Sequence, residues 1–164
     1  MIDKFDGRWR FLSNFYPVKI THKGIVFPSV EHYYVSMKID GPQHINVNGK
    51  LILLGVNDAR EFVASITTPG QVKRLGRTLD IRKDWDEVKF DIMLWGVRQK
   101  FKDQELQGML LSTKEEELIE GTTWHDQYWG VCTCPKHRGE GLNNLGKILM
   151  LVRDEVKSHY KTSI

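Results

Sequence analysis

The sequence predicts an α+β protein: a single, mostly helical domain with a small β-sheet, covering residues 1–164. Three observations support this prediction. Amphipathic segments at helical spacing recur along the chain. Two short apolar runs around Lys23-Gly24 indicate a hairpin. No repeat or linker divides the 164 residues, which are enough to bury an apolar core without disulfides or metals.

The first half of the chain predicts the hairpin in VKITHKGIVFP, followed by three helices. Ser29 is the expected N-cap of a helix over residues 30–39, where Val30, Tyr34 and Met37 recur at helical spacing. The stretch DGPQHINVNG is rich in turn-forming residues. Beyond it, NDAREFVAS and PGQVKRLGRTL predict two short helices separated by Thr-Thr-Pro-Gly.

The second half predicts the longest helix, from Asp84 toward Phe101, because Asp84 and Glu87 have the spacing of a capping box before a periodic apolar stretch. DQELQGMLLST predicts another helix, and EELIEGT with YWGVCT predicts strands or a structured loop. The segment NNLGKILMLVRDEVKS predicts an amphipathic C-terminal helix with an apolar face of Leu145, Ile148, Leu149, Val152 and Val156.

The composition is that of a folded protein in a reducing compartment. No apolar run reaches the length of a bilayer span, and the N-terminal residues lack a secretory h-region. We therefore expect a cytoplasmic location and no membrane partner. The two cysteines, Cys132 and Cys134, are poorly spaced for a useful disulfide. The net charge of +3 does not require nucleic acid, but it is compatible with a local site for an anionic ligand.

Glu31 and Lys38 are the first candidate site residues. Seven residues make nearly two helical turns, so both side chains project from one face, about 10 Å apart along the axis, with Tyr34 between them. A carboxylate and a partly desolvated amine in one cleft can act as acid or base and as nucleophile. The alternative is a solvated helix face, which is the more usual role for charged residues in one stripe.

Residues 122–130, TTWHDQYWG, are the second candidate. Trp124, Tyr128 and Trp129 surround His125 and Asp126, a composition that suits a pocket for a flat ring or a sugar. A corner of the core packed by tryptophans is the alternative. Residues 137–147, HRGEGLNNLGK, lead into the C-terminal helix, whose N-terminus can hold a phosphate. Within that segment Asn143 is either a ligand contact or an N-cap.

A metal site is the third candidate, in CTCPKH. Cys132, Cys134 and His137 are three soft ligands close in sequence, whereas structural zinc normally has four with paired spacing. A small zinc-dependent nucleic-acid module is the function that such a site would indicate. Incidental residues in a surface loop are the alternative interpretation.

In order along the chain, FLSNFYP, FPSVEHYYVSMKI, LGRTLDIRKDWDEVKFDIML, KF, DQYWG and GLNNLGKILMLVR resemble the NADAR family, the group that includes the riboflavin biosynthesis intermediates N-glycosidase. The matching stretches run from about residue 11 to 153. The resemblance implies an enzyme that cleaves an N-glycosidic bond without cofactor or metal. It also implies a phosphorylated ribosyl or ADP-ribosyl substrate, either ADP-ribose on guanine in nucleic acid or a ribosylamino-pyrimidine phosphate of flavin synthesis.

Carried over position by position, the resemblance places the functional acids on Glu31 and Asp126, the lysine on Lys38 and a tryptophan on Trp85. A carboxylate would stabilise positive charge on the sugar, and Lys38 would alternatively form a Schiff base with C1'. We expect further substrate contacts from Asn14, Phe15, Tyr34, Arg77, Trp129 and Asn143. A non-catalytic binder of ADP-ribose or NAD-like ligands is the alternative class.

One segment departs from the family pattern. Between DQYWG and the last helix the sequence is VCTCPKHRGEG, where similar proteins have a short Gly-rich loop. We expect this loop to close over the outer end of the ligand.

Overall fold

The computed structural model describes residues 1–162 and confirms the α+β class, with helices predominating. The described residues form three separate two-stranded sheets where one small sheet was predicted. The chain divides into two compact units. One is Asn14–Gly96, and the other combines Met1–Ser13 with the chain from Val97 onwards. The assignment of residues 1–164 to one domain stays a prediction.

The Asn14–Gly96 unit contains two hairpins and three complete helices, and α4 begins in it. Its elements are β1 (Ile20–His22), β2 (Ile25–Phe27), α1 (Val30–Ser36), β3 (Gln43–Val47), β4 (Lys50–Leu54), α2 (Val56–Ser65), α3 (Pro69–Gly76) and the start of α4 (Trp85–Lys100).

The predicted hairpin β1–β2 is confirmed, with antiparallel pairing of Ile20 to Phe27. A second hairpin, β3–β4, replaces the turns predicted in DGPQHINVNG. Its turn residues Asn48 and Gly49 have φ of 51° and 84°, the left-handed conformations that a tight two-residue hairpin turn requires. The prediction was wrong because the Asn-Gly pair, a strong hairpin indicator, was counted as a general loop feature.

Helix α1 begins where predicted, since Ser29 Oγ accepts a hydrogen bond from the backbone N–H of His32 at 3.1 Å. All seven of its residues are buried. The helix ends at Ser36, earlier than predicted, and continues as a turn in which Lys38 N–H donates to the Val35 carbonyl at 3.1 Å. Arg60 of α2 donates to the Ser36 and Ile39 carbonyls, so it holds the end of α1 in place.

The apolar core of this unit joins α1 to α2, α3 and β3. Each buried aliphatic side chain in such a core contributes roughly 1.5–3 kcal/mol. The aromatic rings of His22, Tyr33 and Trp95 pack beside it at centroid distances of 5.1 to 5.7 Å. The core side chains are Val35, Ile39, Ile45, Ala59, Val63 and Val72.

The other unit contains a 3-10 helix (Gly7–Leu12), the last residues of α4, α5 (Gln104–Leu111), β5 (Gly121–Thr122), β6 (Val131–Cys132) and α6 (Asn144–Thr162). Asp103 caps α5 by accepting from Leu106 N–H at 3.0 Å. The predicted apolar face of α6 is confirmed, because all five of its residues are buried. EELIEGT and YWGVCT supply β5 and β6, so the strands are confirmed over the alternative of a structured loop, and the two strands pair in parallel.

One prediction for the helices was wrong. Helix α4 has 16 residues and α6 has 19, so α4 is not the longest helix. Helix α4 begins directly after Asp84, where its start was predicted, and both carboxylate oxygens of Asp84 accept hydrogen bonds from Arg82, at 2.6 and 3.0 Å. The bidentate guanidinium is a stronger partner for this carboxylate than a backbone amide.

Over residues 1–162, no helix combines the length and the apolar character that crossing a membrane requires. The cytoplasmic location stays a prediction.

Candidate active site

Glu31 lies inside the Asn14–Gly96 unit and not on a solvated helix face. Only 8% of its surface is exposed, because α1 is covered on every side. Its backbone N–H donates to the Asn14 carbonyl at 3.1 Å, which joins the start of α1 to the preceding loop. A carboxylate in such a position is seldom found in proteins unless it has a polar partner or a function.

Lys38 follows α1 and is half-buried near the same carboxylate. Burial lowers the pKa of Lys38, and the positive charges of Lys89, Arg77 and Lys73 lower it further, while the negative charge of Glu31 opposes them. The amine is therefore deprotonated more readily than an exposed lysine, which favours its use as a nucleophile or a base.

Two aromatic rings lie beside the Lys38 amine. Its Nζ is 5.6 Å from the ring centroids of both Tyr34 and Trp85, which are themselves 5.0 Å apart. A side chain at Gly76 would crowd this arrangement, since a Cβ there would lie 3.4 Å from Lys38 Nζ and 3.3 Å from the Val35 methyl groups. The small residue on α3 leaves room for the lysine.

The other predicted site residues of this unit are Asn14, Phe15 and Arg77. Asn14 donates from Nδ2 to the sulfur of Met93 at 3.4 Å. Phe15 is 42% exposed, and the Lys73 amine is 6.0 Å from its ring. Arg77 is the exposed C-cap residue of α3.

His32, the neighbour of Glu31, has a structural role. Its Nε2 lies 2.8 Å from the carbonyl of Ile66, which can only accept, so Nε2 carries the proton. Its Nδ1 then accepts from the Ser29 hydroxyl at 2.7 Å. Burial lowers the pKa of His32, in agreement with this neutral form. The ring therefore ties α1 to the end of α2.

Asp126 and Trp129 lie in the other unit, in the loop between β5 and β6. Asp126 Oδ1 accepts from the backbone N–H groups of Tyr128 and Trp129 at 3.1 and 2.9 Å. Trp129 packs edge-on against Tyr128 at a centroid distance of 4.7 Å. One carboxylate oxygen of Asp126 thus shapes the loop, and its catalytic role stays a prediction.

Asn143 makes hydrogen bonds that explain its burial without a ligand. Its side-chain amide donates to the Leu118 carbonyl at 3.0 Å and accepts from Glu120 N–H at 2.9 Å. It therefore clamps the segment before β5 to the start of α6. A role for Asn143 in substrate binding stays a prediction.

Lys100 is a functional candidate that the sequence analysis did not single out. It is 1% exposed and donates from Nζ to the Ser13 carbonyl at 2.8 Å. Burial lowers its pKa to about 7, although the charge of Glu120 raises it. Helical spacing places Lys100 on the same side of α4 as the buried Met93 and Val97, but that spacing alone does not show whether the amine is buried.

Taken by itself, the Asn14–Gly96 unit combines a buried carboxylate, a lysine of lowered pKa and paired aromatic rings on a small α+β frame. This is a site suited to acid–base or nucleophilic chemistry on a ligand that contains a ring.

Comparison with known proteins agrees with that class. The profile of the NADAR domain matches residues 3–157. An N-glycosidase of Nostoc punctiforme is 35% identical over 149 residues, which are 89% of this chain and 85% of that protein. A riboflavin biosynthesis protein of Vibrio vulnificus is 36% identical over 157 residues, or 94% of this chain. The NMR structure of the Escherichia coli protein YbiA superposes with a TM-score of 0.71 at 28% identity, covering 97% of this chain and 86% of that one.

This chain belongs to the NADAR domain family. It spans 37% of the length of the Vibrio protein, so it corresponds to one part of that longer relative.

Proposed function

We propose that this chain is an N-glycosidase, a hydrolase of the bond between a base and C1' of a phosphorylated ribose. The observation that carries the proposal is Glu31, a buried carboxylate on a fully buried helix, with the lowered-pKa amine of Lys38 near it. Relatives of this family that carry the name N-glycosidase support the same reaction type.

Breaking the bond leaves its electron pair on the base nitrogen, which must gain a proton, while positive charge develops on C1' and the ring oxygen. The Glu31 carboxylate stabilises that charge, since a buried anion acts through a low dielectric. Water then adds to C1' and releases one proton. Asp126 is the second acid that the resemblance supplies, and its share in these proton transfers is part of the proposal.

Lys38 offers a second route to the same products. When the sugar ring of the N-glycoside opens, C1' is joined to the base nitrogen as an iminium. The neutral amine of Lys38 adds to C1', the base leaves with a proton on its nitrogen, and the resulting Schiff base is later hydrolysed by water to the free sugar and the free amine. Burial and three neighbouring cations all raise the neutral fraction of this amine, which supports the route.

ADP-ribose attached to guanine is the substrate that we propose first. Lys73, Lys89 and Arg77 add positive charge around Lys38, and a diphosphate is a suitable anion for such a field. Tyr34 and Trp85 provide ring surfaces for stacking. Further contacts from Asn14, Phe15, Trp129 and Asn143 belong to the same proposal.

A ribosylamino-pyrimidine phosphate of riboflavin synthesis is the second candidate substrate. The observation that favours it is the name of the Vibrio relative, a riboflavin biosynthesis protein that shares 36% identity with this chain. Such a substrate has one phosphate and a smaller base, so it would use fewer of the cationic side chains.

The deciding experiment offers both substrates side by side. Unmodified protein and its Glu31→Gln and Asp126→Asn variants are incubated with DNA carrying ADP-ribosylated guanine and, separately, with the flavin precursors. Released base and sugar are identified by mass spectrometry. We expect turnover of one substrate by the unmodified protein and its loss in Glu31→Gln. Binding without any release by the unmodified protein would make the chain a non-catalytic binder and refute the proposal.

A further inference from the structure

Four potential metal ligands converge in the loop that departs from the family pattern. They are His125, Cys132, Cys134 and His137, and their ligand atoms all lie within 4.8 Å of one another. Both cysteines are free thiols, with Cys132 buried and Cys134 half-buried. All four residues lie between positions 125 and 137, so the cluster is formed by one continuous segment of chain.

The three separations among His125, Cys134 and His137 are close to the edges of a metal-centred tetrahedron. Cys134 Sγ is 3.2 Å from His137 Nδ1 and 3.4 Å from His125 Nδ1, and the two Nδ1 atoms are 3.4 Å apart. Tetrahedral zinc with Zn–N of about 2.05 Å and Zn–S of about 2.3 Å requires edges of roughly 3.3 Å between nitrogens and 3.6 Å between nitrogen and sulfur. These three edges differ from the required values by at most a few tenths of an ångström, and Cys132 Sγ lies within 4.8 Å of the other three ligand atoms.

The orientation of the rings also indicates a shared cation. The imidazoles of His125 and His137 meet at 76° with centroids 5.2 Å apart. Both Nδ1 atoms lie within 3.4 Å of each other and of the Cys134 sulfur. Lone pairs that face each other at this distance repel unless a proton or a cation lies between them. A metal ion satisfies all of them at once.

The backbone holds the ligands independently of any metal. Pairing of β5 with β6 places Thr122 opposite Cys132, and Cys132 N–H also donates to the Glu140 carbonyl at 3.0 Å. The Cys134 carbonyl accepts from His137 N–H at 3.1 Å and from Arg138 N–H at 2.8 Å. This tight turn returns the chain so that His137 faces Cys134.

We propose that His125, Cys132, Cys134 and His137 form a structural Zn²⁺ site. Two thiolates and two imidazoles in tetrahedral arrangement favour zinc over magnesium or calcium, which prefer oxygen ligands. Four protein ligands leave no open position, so the ion is structural and takes no part in bond cleavage. This site is separate from the glycosidase proposal, which requires no metal.

The ion would fix the loop that carries Asp126, because His125 is its direct neighbour. His125 has φ of 70°, a left-handed conformation that is costly for a residue other than glycine. Coordination through Nδ1 offsets that cost. Zinc therefore orders residues 125–137 as one closed segment.

The test uses untagged full-length protein purified with and without added zinc. After dialysis, elemental analysis is expected to find about one zinc per chain, the stoichiometry of a closed four-ligand site. Replacement by Co²⁺ should give the absorption bands of tetrahedral cobalt together with a thiolate charge-transfer band. Chelation should lower the midpoint temperature of unfolding, and zinc but not magnesium should restore it.

Variants identify the ligands. Cys134→Ser and His137→Ala are each expected to lower the bound zinc at least tenfold, whereas His44→Ala, which removes an exposed histidine on β3, should leave it unchanged. If a variant does not fold, the cobalt spectrum of the unmodified protein decides. Protein without transition metal after zinc supplementation, octahedral cobalt bands, or a Cys132–Cys134 disulfide detected by mass would each overturn the proposal.

Discussion

Replacing Lys100 by methionine should change how stability depends on pH. Methionine fills a similar volume without the amine that burial holds at a pKa of about 7, against 10.5 for an exposed lysine. Because the folded-state pKa lies below the unfolded-state value, the unfolded chain binds more protons between these two values. Stability of the unmodified protein therefore rises with pH through this window.

The magnitude follows from the two pKa values. Linkage gives a gain of about 2 to 3 kcal/mol in the free energy of unfolding between pH 6 and pH 9, from this group alone. Lys100→Met loses that gain. It also leaves the Ser13 carbonyl without this donor, a pH-independent cost of about 1 to 3 kcal/mol. The free energy of unfolding of Lys100→Met, relative to that of the unmodified protein, should therefore be highest at pH 6 and lowest at pH 9.

Urea unfolding followed by circular dichroism at pH 6, 7.5 and 9 measures this difference. The other titrating groups cancel when the two proteins are compared at each pH. Lys102→Met is the matched control, since it makes the same exchange at an exposed neighbour on the chain, and the pH dependences of the two variants are compared. Parallel stability curves for Lys100→Met and the unmodified protein would refute the assignment of a desolvated amine.

Three further variants test the candidate active site and the hydrogen bonds that join the segment before β5 to α6. Glu31→Gln should reduce the turnover number by at least about a hundredfold and leave the substrate affinity nearly unchanged, because it removes an interaction made in the transition state. Equal losses in turnover number and in affinity would contradict this role of Glu31. Borohydride added during turnover should reduce the Schiff base and so link the sugar permanently to Lys38 in the unmodified protein. If Lys38→Ala remains active, the Schiff-base route is wrong. Asn143→Ala should lower stability by about 2 to 4 kcal/mol in urea unfolding, because it leaves the Leu118 carbonyl and the Glu120 N–H without their partner.

Local patterns predicted the elements that depend on neighbours in sequence. The cap at Ser29, the hairpin turn at Lys23-Gly24 and the buried face of α6 all follow from residues within a few positions of one another. The hairpin β3–β4 was equally local, and its turn at Asn48-Gly49 could have been recognised.

The spacing of residues in the sequence did not predict which charged side chains are buried. Spacing placed Glu31 and Lys38 on one face, but a solvated face has the same spacing, and only the packing around α1 shows that this face is covered. Lys100 is a similar case. A lysine on the apolar side of a helix can extend its amine to water, and here it bonds to the Ser13 carbonyl instead.

The histidine that completes the metal-ligand cluster also depends on three-dimensional contacts. Cys132, Cys134 and His137 are close in sequence, whereas His125 lies before β6 and reaches them through the pairing of β5 with β6. A left-handed turn at His125 then aims its ring at Cys134. Three ligands were therefore visible in the sequence, and the fourth required the fold.

The shortness of α1 determines when the candidate active site can exist. A helix of seven residues is far below the length at which an isolated helix is stable in water, so α1 forms only when its neighbours pack around it. During synthesis Glu31 leaves the ribosome well before Trp85, and until α3 and the start of α4 follow, the acid and the lysine have no fixed geometry. In a nascent or truncated chain that lacks α3 and the start of α4, Glu31 and Lys38 would therefore not form the candidate active site. The proposed glycosidase activity would require that this unit has folded.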